Sequence, residues 1–200
     1  MKNDYKRLVV VDIETVSLNP IDPKGALDAL MGRIVCIGTL VDDGQQLIER
    51  AYTDQDERKI LQDFWETVRP TDLLIGHNIL EFDLPFIRQR CWILGVRPPR
   101  EVNLRKYYTD EVFDTMQIWS NWGKKVKLDD LGGALSCGQK SGHGADVSQW
   151  WLAGDLQKIA DYCLDDVRLT YRVFCRLNYM PERRPLLSVF SHAFQSAVAS

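Results

Sequence analysis

Two carboxylates at the end of an apolar stretch are the residues whose spacing most directly indicates chemistry. Asp12 and Glu14 lie near the end of Leu8–Thr15, which contains three consecutive valines. Valine favours extended backbone, and residues two apart on a strand point to the same side. Two anions held together in this way repel each other unless a cation lies between them. A solvated strand end is the competing interpretation, and further acids elsewhere in the chain would weaken it.

Three further residues are expected at the same edge of the fold. Asp83 stands at the start of a predicted helix, where a carboxylate also caps free N–H groups. Asp166 follows Tyr162 by four positions on a predicted long helix, so the two side chains share a face. Taken singly, Asp83 is explained as an N-cap, and the pair as a packed tyrosine beside a surface acid. Their order along the chain, together with Asp12 and Glu14, favours a common site.

Composition limits the possible classes of protein. Of the 200 residues, 45% are hydrophobic and 26% are charged, and the net charge is −3. Contact with nucleic acid would therefore need local basic residues or bound cations, because bulk positive charge is absent. Five scattered cysteines without a Cys-x-x-Cys pair argue against a zinc site or disulfide framework and favour a reducing compartment. No signal peptide or membrane span is predicted, so we expect a cytoplasmic protein with no membrane partner.

The predicted elements would hold these residues in an α/β fold. Strands are predicted at Leu8–Thr15, Arg33–Val41 and Leu47–Tyr52, the last two forming an antiparallel hairpin. Strands and helices then alternate, which indicates a mixed central sheet with helices on both faces. We expect one domain over residues 1–180 and a C-terminal helical appendage over residues 181–200.

The rest of the chain is also predicted to form helices and strands. The remaining predicted elements are a helix capped by Thr53 and stopped by Pro70, a strand at Leu73–Gly76, a helix from about Asp83 to Gly95, a strand ending at Asp114, a short helix over Lys127–Leu135 and a long helix capped by Asp155. Asp114 either supports the other acids or caps a helix. The tryptophans stand at apolar positions and are expected in the core.

The ordered acids resemble the three motifs of the DEDD superfamily of 3′→5′ exonucleases, which have a ribonuclease H-like fold. Asp12–Glu14 stands at the first motif, Asn78–Asp83 at the second and Tyr162–Asp166 at the third. The run Gly76–Ile87 is similar to the second motif in proofreading domains of family B DNA polymerases. Tyrosine stands four positions before the last aspartate, and Asp161 occupies the place of the histidine in the other branch. The chain therefore resembles the tyrosine (DEDDy) branch.

Within that branch, Gly138–Val173 is similar to a family of predicted polymerase-B-like exonucleases that occur as stand-alone proteins. The resemblance implies release of nucleoside 5′-monophosphates from the 3′ end of single-stranded nucleic acid by two-metal-ion hydrolysis. DNA is the favoured substrate because the second motif is polymerase-like. The alternatives are a 3′→5′ exoribonuclease that trims RNA and a non-catalytic nucleic-acid-binding scaffold. The oligomeric state, monomer or homodimer, is left open.

The resemblance also implies roles for the acids. Two divalent cations, Mg²⁺ or Mn²⁺, would be held by carboxylate oxygens, the ligands that such hard ions prefer. Asp12 would bridge both ions, Glu14 and Asp166 would hold the ion that carries the attacking water, and Asp83 would hold the ion at the leaving group. Tyr162 has a reference pKa of about 10, which makes it a poor base at neutral pH. It would instead orient the water.

Four residues are candidates for substrate contact. By resemblance, the segment from Thr15 to Leu18 would wedge the 3′-terminal nucleotide. Asn78 would donate an amide hydrogen bond, and Phe82 would stack on a base. A core position for Phe82 is the competing interpretation. Basic residues that could contact phosphate, or simply lie exposed at the surface, are Arg97, Arg100, Arg105, Lys106, Lys124, Lys125, Lys127 and Lys140.

Overall fold

A computed structural model describes residues 7–139 and 146–183. Its strands are β1 Leu8–Ser17, β2 Gly32–Asp42, β3 Leu47–Tyr52, β4 Leu73–Gly76 and β5 Val112–Asp114. Its helices are α1 Glu57–Thr67, α2 Asp83–Leu94, α3 Thr115–Ser120, α4 Leu128–Ala134, α5 Val147–Ala153 and α6 Leu156–Leu177, with a 3₁₀ turn at Pro23–Leu27. None of these described helices has the length and apolar character needed to cross a membrane.

The five strands form one mixed sheet in the order β3-β2-β1-β4-β5. β2 pairs antiparallel with both β1 and β3, whereas β4 pairs parallel with both β1 and β5. The antiparallel hairpin therefore lies on one side of β1 and the parallel strands on the other. This arrangement confirms the predicted mixed sheet and places β1 at the centre.

Helices cover both faces of the sheet, as predicted. Val9, Val11 and Ile13 of β1 pack into a core with α1 and α2. Val10 packs on the opposite face, in a core that includes Val167 and neighbouring residues of α6. The alternation follows from the two-residue period of a strand, and it places the even-numbered positions of β1 under α6.

Helix α6 approaches the sheet closely because glycine occupies one position of β2. Gly38 is the antiparallel partner of Asp12. A Cβ at Gly38 would lie 2.8 Å from Sγ of Cys163 and 3.0 Å from Cγ2 of Val167. Only glycine leaves room for α6 at this height, so this position sets the distance between the helix and the end of β1.

A buried ion pair ties α1, α2 and β2 together on the other face. Nη2 of Arg90 lies 2.6 Å from Oε2 of Glu57, and both side chains are buried. Glu57 also accepts from the backbone N–H of Ile34 at 2.8 Å, and Arg90 donates to the carbonyl of Ala29 at 2.9 Å. The pair therefore also anchors the segment between the 3₁₀ turn and β2.

Some local predictions were wrong. The N-cap of α1 is Asp56, which accepts from the N–H of Arg58, and not Thr53. Helices α3 and α5 were not predicted. Trp92 and Trp119 are exposed, contrary to the expected core positions. The helix expected within residues 181–200 lies almost entirely outside the described residues, so the predicted division into domains stays a prediction.

Candidate active site

The two acids of β1 lie on the face that α6 covers. On that face they lie between Val10 and Val16, which pack in its cores. Glu14 is buried and Asp12 is half-buried. One carboxylate oxygen from each and Sγ of Cys163 all lie within 4.8 Å of one another. The structure therefore brings the predicted pair together under α6.

Helix α6 presents three buried side chains to this end of β1. Tyr162, Cys163 and Asp166 are spaced so that they lie on one side of the helix. The thiol of Cys163 donates to the backbone carbonyl of Asp12 at 3.5 Å and to its Oδ2 at 3.7 Å. Sequence reasoning missed Cys163, because its contact with Asp12 joins residues 151 positions apart and depends on how α6 packs.

Asp83 approaches the end of β1 from α2, which packs on the face of the sheet opposite α6. Strand β1 continues beyond its parallel neighbour, since pairing with β4 ends at Val10 and Ile75. The open edge that follows is met by Oδ1 of Asp83, which accepts from the N–H of Ile13 at 3.1 Å. Asp83 is the first residue of α2, and the N-cap is Phe82. The interpretation of Asp83 as an N-cap was therefore wrong.

The electrostatic environment shows that the acids influence one another. Burial, and to a smaller extent the carboxylates of Asp114 and Asp166, together raise the pKa of Asp83 to about 7, against the hydrogen bond from Ile13. Burial also raises the pKa of Tyr162, and the charges of Asp166, Glu14 and Asp12 act in the same direction. Asp166 thus lies near enough to affect both Asp83 and the tyrosine.

Tyr162 and Cys163 both carry their protons at neutral pH. The raised pKa of Tyr162 leaves a neutral hydroxyl beside the acids. Burial, Cys36 and then Asp12 and Glu14 hold the pKa of Cys163 well above its ordinary value. A thiol is a weak metal ligand compared with a thiolate. The oxygen donors of this cluster are therefore the carboxylates of Asp12 and Glu14, and oxygen ligands fit Mg²⁺ or Mn²⁺ better than zinc.

Asp114 supports the site through backbone hydrogen bonds. Its Oδ1 accepts from the N–H groups of Asn78, Met116 and Gln117 at 3.0, 3.0 and 3.2 Å, and its Oδ2 accepts from Leu80 at 3.1 Å. Asp114 is therefore the N-cap of α3, and it also stabilises the turn between β4 and α2. Since that turn leads directly into α2, Asp114 fixes where the helix carrying Asp83 begins.

The substrate-contact candidates have different environments. Thr15 donates from its hydroxyl to the carbonyl of Ala26 at 2.6 Å, and Leu18 is exposed. Asn78 has a left-handed backbone, with φ of 64°, and its buried Oδ1 accepts no hydrogen bond from the described residues. Phe82 is half-buried and its ring centroid lies 5.6 Å from that of Phe86. These four residues remain predicted contacts.

The sheet order and the acids at the end of β1 define a ribonuclease H-like domain with an acidic candidate active site. A family model described as "Predicted 3'-5' exonuclease related to the exonuclease domain of PolB" matches residues 27–186, and the chain belongs to this family. The match covers Asp83, Tyr162 and Asp166 but not β1. The assignment of Asp12 and Glu14 to the site therefore rests on their geometry.

A solved structure supports the fold. The chain is similar to a family B DNA polymerase from the hyperthermophilic archaeon Pyrobaculum calidifontis, with a TM-score of 0.68 and 22% sequence identity. The similarity covers 86% of this chain and 24% of the polymerase, so the chain spans about a quarter of its length. No curated protein matches the chain. The fold predicted from the sequence is confirmed.

Proposed function

We propose that this protein is a metal-dependent 3′→5′ exonuclease that releases nucleoside 5′-monophosphates from single-stranded nucleic acid, with DNA favoured. The observation that carries the proposal is that acids from three separate elements interact. Asp12 and Glu14 of β1 lie together. Asp166 of α6 raises the pKa of Asp83 on α2, and it acts with Asp12 and Glu14 on Tyr162. Buried carboxylates that raise one another's pKa are costly unless cations offset them. Membership of a family of predicted exonucleases agrees with this reading.

Two divalent cations would be held by Asp12, Glu14, Asp83 and Asp166. When bound, such ions neutralise charge on the reacting phosphate and lower the pKa of the attacking water. The chain's own contribution is to fix the carboxylate oxygens. The Ile13 N–H holds Asp83, and the Cys163 thiol holds Asp12.

Tyr162 acts as a hydroxyl group in this proposal. Because its pKa is raised by burial and by the neighbouring acids, it does not accept a proton from water near neutral pH. A neutral phenol can still donate or accept a hydrogen bond and so orient the attacking water. This role is the one implied by the tyrosine branch of the superfamily.

The experiment that tests the proposal follows release of the terminal nucleotide from a 3′-labelled single strand. With Mg²⁺ or Mn²⁺, the wild-type protein is expected to release a labelled nucleoside 5′-monophosphate, and Asp12→Ala is expected to release none. Asp161→Ala is the matched control, because Asp161 is an exposed acid on α6. Full activity of Asp12→Ala would overturn the assignment of the site.

Substrate choice is tested with the same assay. Matched DNA and RNA strands of one sequence are compared, and faster release from DNA is expected because the second motif is similar to that of polymerases. Faster release from RNA would instead favour the exoribonuclease alternative. Tight binding of both strands without any release would favour the non-catalytic scaffold.

A further inference from the structure

An exposed tyrosine lies on a small aromatic and basic surface near the start of α2. Tyr107 is 67% exposed. Its ring centroid lies 4.8 Å from that of Trp122 in an edge-to-face arrangement, and Nζ of Lys106 lies 5.2 Å from the Tyr107 centroid. Lys125 is also exposed nearby in the chain. We call these four residues, Lys106, Tyr107, Trp122 and Lys125, the aromatic–basic patch.

Tyr107 and Trp122 both have an unfavourable backbone conformation. Tyr107 has φ of 69° and Trp122 has φ of 62°. Bulky residues rarely adopt the left-handed region, where Cβ crowds the backbone. Trp122 is held there by its N–H, which donates to the carbonyl of Gln117 at 3.0 Å. Backbone strain of this kind clusters at ligand-binding and other functional sites.

Two contacts, one from Lys125 of the patch and one from the next residue in the chain, connect it to the turn that carries the second acidic motif. Nζ of Lys125 lies 2.9 Å from a carboxylate oxygen of Glu81, two residues before Asp83. The hydrogen bond from Lys125, and more weakly the charge of Lys106, lower the pKa of Glu81. In addition, Nε2 of His77 donates to the carbonyl of Val126 at 2.8 Å. The patch therefore borders the candidate active site.

The sheet order places the patch across the acids from the segment after β1. Leu18 follows β1 and donates from its N–H to the carbonyl of Met31, just before β2. Tyr107 precedes β5 and Trp122 follows α3, on the β5 side of β1. A single strand of nucleic acid whose 3′ nucleotide lies at Leu18 and whose scissile phosphate lies at the acids would continue toward the patch.

We infer that the aromatic–basic patch binds the single strand on the 5′ side of the scissile phosphate, with a base stacked on Tyr107 and phosphates near Lys106 and Lys125. The inference rests on the proposed exonuclease function. Aromatic rings bind bases without regard to sequence, and adjacent lysines neutralise phosphates. Since the whole chain is acidic, such a local cluster is where a polyanion gains favourable contacts.

The kinetic test compares a strand of twelve nucleotides with one of three, because only the longer strand reaches the patch. The quantity measured is the ratio of kcat/KM for the two lengths. Tyr107→Ala is expected to lower this ratio at least about fivefold, the loss produced by one stacked base. Tyr107→Phe keeps the ring and is expected to restore the ratio. An equal effect of Tyr107→Ala on both lengths would overturn the inference.

The matched control is a second exposed aromatic residue with a cation over its ring. Trp92 is 69% exposed, and the guanidinium of Arg88 lies 5.3 Å from its ring centroid. It lies near the far end of α2, nine residues after Asp83, which is about 14 Å along a helix. Trp92→Ala is expected to leave the ratio as in the wild type. A drop equal to that of Tyr107→Ala would contradict a local role for the patch.

Binding separates failure of this inference from failure of the proposed function. Fluorescence anisotropy measures the Kd of a labelled twelve-nucleotide DNA strand with Ca²⁺ in place of Mg²⁺, so hydrolysis is not required. Tyr107→Ala is expected to weaken binding at least about fivefold, and Lys125→Gln to reduce the salt dependence by about one counterion. Weaker binding would support the patch even if the wild type showed no nuclease activity. Unchanged binding in both variants would overturn it and leave the surface open to a protein partner.

Discussion

The backbone N–H of Ile13 donates to Oδ1 of Asp83 at 3.1 Å, although the two residues are 70 positions apart. The bond forms where β1 extends beyond β4, so an acid at the start of α2 completes the edge of the central strand. The same acid is buried, and its pKa is raised to about 7. This one contact fixes Asp83 at the site and also makes its charge costly when no cation is present.

Replacing Asp83 with asparagine is expected to raise thermal stability without metal while abolishing nuclease activity. The amide oxygen can still accept from Ile13, but it carries no buried charge. Because the folded pKa of Asp83 lies above its ordinary value of 3.8, wild-type stability falls as pH rises from about 4 through 7. In EDTA at pH 8, Asp83→Asn should melt at least about 2–4 °C higher, the shift for 1 kcal/mol. A lower melting temperature than that of the wild type would contradict the burial argument.

Stabilisation by Mn²⁺ is expected to be greater at pH 8 than at pH 6. A cation and a proton compete for the Asp83 carboxyl, whose pKa of about 7 lies between these two conditions. Ligand that binds only the folded state raises its stability in proportion to RT ln(1 + [L]/Kd). Differential scanning fluorimetry at millimolar Mn²⁺ measures the shift in Tm. An equal or larger shift at pH 6 would show that this carboxyl does not bind the ion.

Gly38→Ala is expected to separate α6 from the end of β1. Its new methyl group would meet Sγ of Cys163 at 2.8 Å, so the helix must move. Overpacking of this kind costs about 1–3 kcal/mol, and activity should fall because Tyr162 and Asp166 are on the displaced helix. Urea unfolding and the nuclease assay measure the two effects.

The control for that variant is Gly133→Ala on α4. A Cβ there meets its nearest neighbour, Nε2 of Gln139, at 3.4 Å. Alanine is also the better helix former by about 1 kcal/mol. Gly133→Ala should therefore retain both stability and activity. If Gly38→Ala behaved in the same way, the close approach of α6 would not matter to the site.

Removing one partner of the buried pair between Arg90 and Glu57 should destabilise the protein far more than removing one partner of a surface pair near the start of α1. Arg90→Met leaves the Glu57 carboxylate buried without its partner, at a cost of about 3–5 kcal/mol. Lys59 pairs with Asp54 at 2.7 Å, but Lys59 is exposed and Asp54 is partly exposed. Lys59→Met should cost less than about 1 kcal/mol. Similar free energies of unfolding for the two variants would show that losing the buried partner of Glu57 costs no more than losing an exposed one.

Much of this architecture could be predicted from the sequence because strong local signals coincide. The valines before Asp12, the turn before Leu47 and the glycine at position 95 each indicate one local structure. Helices α3, α4 and α5 have only six or seven residues, too few for a clear helical period. Helix α4 was predicted because a glycine-rich stretch marks its end, whereas α3 and α5 were missed. Several capping residues, among them Thr53 and Asp56, precede α1, and only the packed structure determines which one caps.

The candidate site could be predicted only in part, because some of its contacts depend on tertiary packing. Separations of two and four positions predict that Asp12 shares a face with Glu14 and that Tyr162 shares one with Asp166. Their order along the chain and its resemblance to the exonuclease motifs then made them site candidates. The contact of Cys163 with Asp12 depends on how closely α6 approaches β2, which no local pattern contains. The pairing of Tyr107 with Trp122 likewise joins segments on either side of β5.

The most direct test of the central claim is a time course on a single-stranded DNA oligonucleotide labelled at its 5′ end, with Mg²⁺ or Mn²⁺. The predicted result is a ladder that shortens one nucleotide at a time from the 3′ end. The ladder should persist in Asp161→Ala and vanish in Asp12→Ala, with both variants still folded. Cleavage at internal positions, or an intact ladder in Asp12→Ala, would contradict a 3′→5′ exonuclease built on the acids of β1.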